Sequence, residues 1–157
     1  MEKKYKLTEE TTNMGGRTLY RIEALRDFSD VKKGDKGGFI EKEDNLSQIS
    51  DCWIYGDAKV YNNAMVYGNA AVYDNAMVHD NAQVYGNAMV LDNAVVSDYA
   101  MVYEYAMVYG EAMVYDNARI CGNAKIYGEA MLYGNAVVYG NTKICEQVKK
   151  EFILFGF

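Results

Sequence analysis

The sequence has no proline, one histidine, one tryptophan and three cysteines among its 157 residues. Because one histidine and scattered cysteines cannot supply three or four ligands of the usual kind, most histidine-based metal sites are excluded. No apolar run reaches about eighteen residues, so no transmembrane helix is predicted. The first ten residues lack the apolar core of a signal peptide, and the cysteine count is odd, so we expect a cytoplasmic protein.

In contrast to these scarce residue types, a six-residue repeat fills most of the chain. An aliphatic residue falls at every sixth position from Ile54 to Ile144, and a small residue follows four positions later, from Ala58 through Ala136 to Thr142. The consensus hexad is V-Y-G-N-A-M. Since six residues match neither the period of a helix nor that of a strand, the pattern predicts a chain that runs straight for about three residues, turns and repeats.

The residue types within the hexad support this geometry. The triplet around each aliphatic position, such as Met65–Tyr67, is rich in β-branched and aromatic residues, which favour strands. The next two positions are mostly Gly, Asn or Asp, which tolerate positive φ and form tight corners. Three such sides make an 18-residue coil, so the sequence predicts an all-β solenoid of about five triangular coils.

These repeats resemble the hexapeptide-repeat superfamily, whose members form a single-stranded left-handed parallel β-helix. The resemblance covers about residues 50–145, and it is the resemblance, not the spacing, that implies the left hand. The segments Asp44–Ser47 (DNLS) and Asp51–Ala58 (DCWIYGDA) are also similar to small YGNA-repeat proteins of phages and prophages. That similarity implies a phage or mobile-element origin, with an inhibitor of host defence, such as an anti-CRISPR, as the most concrete role.

Composition divides the chain into three regions. Residues 1–46 hold no hexads, and alternating stretches at Tyr5–Thr8 and Arg17–Ile22 flank the turn signal Asn13–Gly16, so we predict a β-hairpin that caps the solenoid. Residues 47–145 are the hexapeptide-repeat solenoid. Residues 146–157 include an apolar tail, for which we predict a second cap or an oligomer contact.

The outer faces of the predicted coil are rich in tyrosine and methionine, which flank the core-facing aliphatic residues and point away from them. Such columns can simply shield the sheets and stabilise neighbouring coils. However, contiguous apolar faces of this size exceed what a monomer usually exposes, so we predict a homo-oligomer, a dimer or trimer. The predicted contact is the apolar centre of one face, formed by Met89, Leu91, Met107 and Tyr109.

The negative charge lies mainly in the solenoid, where residues 47–142 carry three basic and ten acidic side chains. In coil register one corner stacks an acidic ridge: Asp57, Asp74, Asp92, Glu111, Glu129 and Glu146. A second corner stacks Asp80, Asp98 and Asp116. This sign disfavours direct nucleic-acid binding. The ridge is interpreted as a solvated edge that maintains solubility, as the binding site of a basic protein partner, or as a calcium ladder.

Catalysis has one weak candidate, His79. Many members of the resembled superfamily are acyltransferases with a histidine base, and His79 could act as a general base with Asp80 beside it. However, His79 replaces one tyrosine of a repeated column, and no insertion interrupts the hexads to form a coenzyme A groove. The cysteines form no CxxC pair and have no histidine nearby in sequence, so no nucleophilic or zinc role is predicted.

We therefore predict a non-catalytic, self-associating β-solenoid that binds a protein partner through the acidic ridge or the Tyr/Met faces. No cofactor, metal, membrane or direct nucleic-acid contact is predicted. Two alternatives stay open: an acyltransferase with His79 as base, and a structural protein that polymerises. Titration with coenzyme A and sedimentation distinguish these alternatives from a partner-binding protein.

Overall fold

The structure, a computed structural model, describes residues 2–146 and the backbone of residues 153–156. Three longer strands come first, β1 Tyr5–Met14, β2 Arg17–Ala24 and β3 Lys36–Ile40, followed by a 3-10 turn at Glu43–Asn45. The strands after them are short: β4 Trp53–Ile54, β5 Lys59–Val60, β6 Met65–Val66, β7 Ala71–Val72, β8 Met77–Val78, β9 Gln83–Val84, β10 Met89–Val90, β11 Val95–Val96, β12 Met101–Val102, β13 Met107–Val108, β14 Met113–Val114, β15 Arg119–Ile120, β16 Lys125–Ile126, β17 Met131–Leu132, β18 Val137–Gly140, β19 Lys143–Ile144 and β20 Ile153–Gly156.

Each short strand pairs in parallel with the strand 18 residues further along, as Val90 does with Val108. This pairing generates three sheets that run the length of the molecule. Sheet 1 has the order β1-β2-β3-β5-β8-β11-β14-β17, sheet 2 the order β20-β18-β15-β12-β9-β6, and sheet 3 the order β19-β16-β13-β10-β7-β4. The predicted all-β, parallel β-solenoid fold with an 18-residue coil is confirmed.

The core of the solenoid is made by the two residue types that define the repeat. Every aliphatic residue from Ile54 to Val138 at the sixfold positions is buried, and so is every alanine that follows a corner. The aliphatic side chains of successive coils stack in register because the strands pair residue for residue. The alanines occupy the space just inside the corners, where the chain turns back on itself.

The corners depend on residues that accept positive φ. The first corner position has φ between 57° and 70° throughout the solenoid, whether it is occupied by glycine, asparagine, aspartate or Glu104. Close approach adds a second constraint, since a Cβ built on Gly122 would lie 2.7 Å from the backbone nitrogen of Gly140 in the next coil. This is the physical reason for Gly, Asn and Asp at the first corner position, whereas the second position does not have positive φ.

The N-terminal region joins the solenoid through β3, which pairs antiparallel with β2 and parallel with β5. Leu46 then forms a parallel bridge with Val66. Residues 36–52 thus already make a coil, so the solenoid has about six coils where the hexads alone indicate about five. The difference arises because this first coil uses irregular spacing and lacks the hexad pattern.

The N-terminal region also covers part of the outer surface of the next coil. Trp53 is buried because its ring packs edge-on against Phe28 and Tyr5, with centroid distances of 5.2 and 6.1 Å. Tyr61 is similarly buried in a small cluster with Leu19 and Phe39. Trp53 and Tyr61, outward residues of the first two hexads, are therefore internal, whereas Met65 of the third hexad is already exposed.

The last predicted region, residues 146–157, lies largely outside the described residues. Within it, the β20 backbone pairs in parallel with β18 and extends sheet 2. Among the described residues, no helix has the length and apolar character needed to cross a membrane.

Candidate partner-binding surface

The predicted acidic ridge lies along the corner between sheets 3 and 1, but its members occupy two adjacent columns. Asp74 and Asp92 take the first corner position, with φ of 59°. Asp57, Glu111 and Glu129 take the second position, and all three are exposed. Glu146, which follows β19, is exposed at the end of the same corner. The structure thus brings the ridge residues together at one corner.

The first-position aspartates do more than carry charge, because each accepts a hydrogen bond from the next coil. The Asp92 amide donates to Asp74 Oδ2 at 3.2 Å, and the Gly110 amide donates to Asp92 Oδ2 at 2.9 Å. These bonds satisfy corner amides that the sheets do not reach and fix the carboxylates in place. Part of the ridge is therefore a structural element of the corner.

The N-terminal end of the ridge is already neutralised. Asp57 Oδ1 accepts a hydrogen bond from Arg21 Nη2 at 3.1 Å, and the same guanidinium binds Glu10 through Nε at 2.6 Å. Arg21 also donates to the backbone oxygens of Gly37 and Gly56. The uncompensated part of the ridge accordingly begins at Asp74.

The second acidic corner, between sheets 1 and 2, repeats the same hydrogen-bond arrangement. Asp116 N donates to Asp98 Oδ2 at 3.0 Å, and Gly134 N donates to Asp116 Oδ2 at 3.0 Å. Asp98 N approaches Asp80 Oδ2 at 3.4 Å. Every coil from Asp80 to Asp116 therefore presents one ordered carboxylate on this corner as well.

The predicted oligomer contact lies on sheet 3. Met89 pairs with Met107 across neighbouring coils, and Leu91 and Tyr109 follow them in the adjacent column. All four side chains are half-buried, and Tyr109 stacks on Tyr127 with 5.3 Å between ring centroids. The four residues form one patch, while self-association through it stays a prediction.

His79 lies on the outer face of sheet 1 in contact with Asp80. Its Nδ1 is 3.4 Å from Asp80 Oδ2, and its ring stacks on Tyr61 with 5.0 Å between centroids. Burial works to raise the pKa of Asp80, but the neighbouring imidazole and hydrogen bonds from Asp98 N and Asn62 outweigh it and lower this pKa. An ionised Asp80 oriented toward Nδ1 could position the imidazole as a base.

The cysteines occupy three different environments. Cys52 is buried, and Cys121 and Cys145 lie lower in the columns of Tyr103 and Tyr127. A hydrogen bond with Cys121, together with burial, raises the pKa of Tyr103 to about 12. Among the described residues, no three His, Cys, Asp or Glu side chains converge on a point where a metal ion could bind.

The structure adds exposed aromatic residues that the repeat pattern did not single out. Tyr99 and Tyr105 are each 63% exposed, the highest value among the large apolar and aromatic side chains of the solenoid. Both occupy the second corner position, where asparagine is the usual residue, on either side of β12. Their departure from the Asn consensus was the available signal in the sequence.

Comparisons with known proteins support the repeat architecture. Residues 82–98 match the family described as the YdcK beta solenoid repeat. The chain is also 49% identical over 37 residues to an uncharacterized acetyltransferase, YdcK, of Escherichia coli strain K12. That stretch is 24% of this chain and 11% of the relative. The similarity therefore covers only a small part of the acetyltransferase.

Proposed function

We propose that this protein is a non-catalytic β-solenoid that binds a basic protein partner. The observation that carries the proposal is the ordered double row of carboxylates beside apolar outer faces. Between Asp74 and Glu129 the chain has eight acidic residues against Arg119 and Lys125. The first-position aspartates of both corners are held in place by backbone amides, so a partner would meet fixed charges there and lose little side-chain entropy on binding.

The regularity of the coil also favours binding over catalysis. The hexads run from Ile54 to Ile144 without an inserted loop, so no segment rises from the coil to enclose a substrate. Rigid, repeated surfaces of this kind suit the recognition of macromolecules. In its most concrete form, the partner is a basic groove of a host defence enzyme, and the protein acts as its inhibitor.

Capture followed by a direct binding measurement tests this function. The full chain is used as bait in a bacterial lysate, and each retained protein is then purified and titrated against it. We expect a basic partner that binds one to one or in a fixed ratio, with an affinity that falls as salt is raised. Retention of only salt-insensitive partners, or no saturable binding by any retained protein, would contradict the proposal.

An acyltransferase is the second candidate, because of the His79–Asp80 contact and the acetyltransferase relative. If it is correct, the chain should bind coenzyme A saturably and transfer an acetyl group to an amine, and His79→Ala should abolish the transfer. His79→Tyr, which restores the tyrosine of the repeat, serves as a second inactive variant in which the tyrosine column is intact. Absence of coenzyme A binding by the wild type would remove this candidate.

A further inference from the structure

In the part of the chain that the structure describes, the outer face of sheet 1 is the one face bordered by acidic corners on both sides. Along one edge lie Asp74, Asp92, Glu111 and Glu129, and along the other lie Asp80, Asp98 and Asp116. The corner between sheets 2 and 3 contributes a single acidic residue, Glu104, over the same coils. The two basic residues of this stretch, Arg119 and Lys125, belong to strands of sheets 2 and 3.

The surface between these two edges is mostly apolar. Met77, Val95 and Met113 pair successively across the coils and form one column. His79, Ser97, Tyr115 and Tyr133 follow in the neighbouring column, where Tyr115 and Tyr133 stack with 5.4 Å between centroids. An apolar strip between two charged edges has the arrangement of a protein interface, with a dry centre and a polar rim.

The apolar strip has a shallow depression at its centre, the low point, where the outward side chains are smallest. Val95 and Ser97 are the smallest outward pair on this face, and they lie between Met77 and His79 in the preceding coil and Met113 and Tyr115 in the following one. Coils are separated by about 4.8 Å, so the lowered surface is roughly 10 Å long, which is the size of one large apolar side chain. Asp92 and Asp98 flank it on the same coil.

We propose, as a refinement that rests on the proposed function, that this face binds an amphipathic basic α-helix of the partner. The helix places an apolar side chain over Val95 and Ser97, and its Lys or Arg residues on both sides reach the two acidic edges. The site assigned by this proposal therefore consists of the low point together with Asp92 and Asp98, extended by Glu111 and Asp116 one coil further on.

The dimensions of the face fit a helix that lies along the solenoid axis. Asp92 and Asp98 are six residues apart, so the two edges are separated by at most about 20 Å, and a helix with its side chains is about 10–12 Å wide. The rise of one helical turn, about 5.4 Å, is close to the coil spacing of about 4.8 Å. Successive turns of the helix can therefore present a basic residue to the carboxylate of each successive coil.

The corner geometry orients the carboxylates of Asp92 and Asp98 for this contact. Asp92 and Asp98 each accept a backbone amide through Oδ2, at 2.9 and 3.0 Å. Among the described residues, the Oδ1 atom of either side chain accepts no hydrogen bond. One oxygen of each carboxylate is thus held by the backbone, while the other can accept a charged donor from the partner.

A designed peptide of 18 residues provides the probe, with leucines along one stripe of the helix and lysines on both sides of the stripe. Its binding to the full chain is measured by fluorescence anisotropy at low salt. A peptide with glutamates in place of the lysines is the reference. We expect saturable binding of the basic peptide alone, and equal or tighter binding of the acidic peptide would overturn the proposal.

Two substitutions that restore the consensus tyrosine separate this face from another one. Ser97→Tyr fills the low point, and Cys121→Tyr makes the same change on sheet 2. We expect Ser97→Tyr to weaken peptide binding at least about tenfold and Cys121→Tyr to change it less than about twofold. Circular dichroism confirms that both variants keep the fold.

A double substitution that removes two of the carboxylates completes the test. The double change Asp92→Asn and Asp98→Asn keeps an acceptor for each corner amide, as Asn62 shows that asparagine adopts this backbone conformation. We expect about three- to tenfold weaker binding at low salt and a smaller difference at high salt, while Glu104→Gln on the third corner has no effect.

The outcomes distinguish this inference from the proposed function. If Cys121→Tyr abolishes binding and Ser97→Tyr does not, the protein binds a basic partner through sheet 2, and the assignment to sheet 1 is wrong. If Ser97→Tyr converts an oligomer into a monomer, the low point receives a second copy of this chain, which also overturns the assignment. Neither result affects the captured partner on which the proposed function depends.

Discussion

The ammonium group of Lys4 donates a hydrogen bond to the backbone carbonyl oxygen of Cys52 at 2.7 Å and lies 3.4 Å from the sulfur of the same residue. It also donates to the carbonyl oxygen of Ser50 at 3.1 Å. Lys4 and Cys52 are fully buried, at the junction of the N-terminal region and the first hexad coil. A lysine in this position attaches β1 to the end of the solenoid.

We expect Lys4→Met to lower the free energy of unfolding by about 2 kcal/mol, because the buried carbonyl oxygen of Cys52 and the partly buried carbonyl oxygen of Ser50 lose their donor. Lys3→Met is the matched control, since Lys3 forms an exposed ion pair with Glu43 and such pairs contribute little. Urea denaturation measures both variants. Equal losses for Lys3→Met and Lys4→Met would show that the buried contact contributes no more than a surface pair.

The Lys4 contact also has a defined pH dependence. Burial lowers the pKa of Lys4 below its ordinary value of 10.5, so just below pH 10.5 the unfolded chain binds more protons than the folded chain. The contribution of Lys4 to stability therefore rises with pH in this range. Burial raises the pKa of Cys52 and Lys4 opposes this rise, so removing Lys4 makes the variant still less stable at alkaline pH. The stability difference between wild type and Lys4→Met should widen as the pH approaches 10.5.

The alanine row gives a prediction about the core. Ala100 is fully buried behind a corner, so Ala100→Leu should overpack the coil and lower the free energy of unfolding by about 1–3 kcal/mol or more. Tyr99→Leu, at the adjacent exposed position, should change it by less than about 0.5 kcal/mol. Thermal denaturation of the two variants measures the contrast. An unchanged melting temperature for Ala100→Leu would contradict the inward orientation of the alanines.

The sequence predicted most of the solenoid because its hexads repeat one local solution: an aliphatic residue inward, a corner with positive φ, and a small residue after it. Residues such as Val90 and Ala94 have the same neighbours in every coil, so local pattern and long-range packing coincide. The N-terminal region was harder to predict. The burial of Trp53 depends on Phe28 and Tyr5, which lie far away in sequence and outside any repeat.

The candidate surface was predicted less completely for a similar reason. The spacing placed the ridge residues on one corner, but it did not show that Asp92 accepts the Gly110 amide while Glu111 occupies the outer column. Likewise, the neutralisation of Asp57 by Arg21 joins two regions that no periodicity connects. The repeat predicted where the charged side chains lie. Their neutralisation by residues far away in sequence could be seen only in the folded structure.

The two columns of the ridge should respond differently to mutation. Asp92→Ala removes the acceptor of the Gly110 amide and places alanine at a φ of 59°, so we expect a loss of about 1–3 kcal/mol. Glu111→Ala removes the same charge from an exposed second-position residue and should cost less than about 0.5 kcal/mol. Asp92→Asn should restore most of the loss. Similar values for Asp92→Ala and Glu111→Ala in urea denaturation would mean that the ridge carboxylates have no structural role.

The patch on sheet 3 makes a prediction about assembly. If Met89, Leu91, Met107 and Tyr109 form a subunit contact, the double change Leu91→Glu and Met107→Lys should lower the oligomeric state and leave the β-sheet spectrum unchanged. Val95→Glu with Met113→Lys, on sheet 1, introduces the same charges elsewhere and serves as control. Light scattering measures the mass of each. A monomeric wild type would eliminate this contact.

The acidic ridge makes a prediction about association kinetics. Replacing Asp74, Asp92, Glu111 and Glu129 by their amides removes four negative charges from a formal net charge of −6. If the ridge steers a basic partner, the association rate constant for the basic helical peptide should fall at low salt, and the difference from wild type should shrink as salt is raised. Dissociation should change less than association, because charges at the rim act mainly on encounter.

The control for this last prediction changes the same number of charges elsewhere. Glu2, Glu9, Asp44 and Asp51 are all exposed, and none of them belongs to the acidic ridge. Their replacement by amides gives the same net charge, so a ridge effect must exceed the effect of this control variant in stopped-flow measurements. Equal association rates for the two quadruple variants would assign the kinetics to overall charge. The ridge would then contribute to solubility alone, and the apolar faces would provide the binding surface.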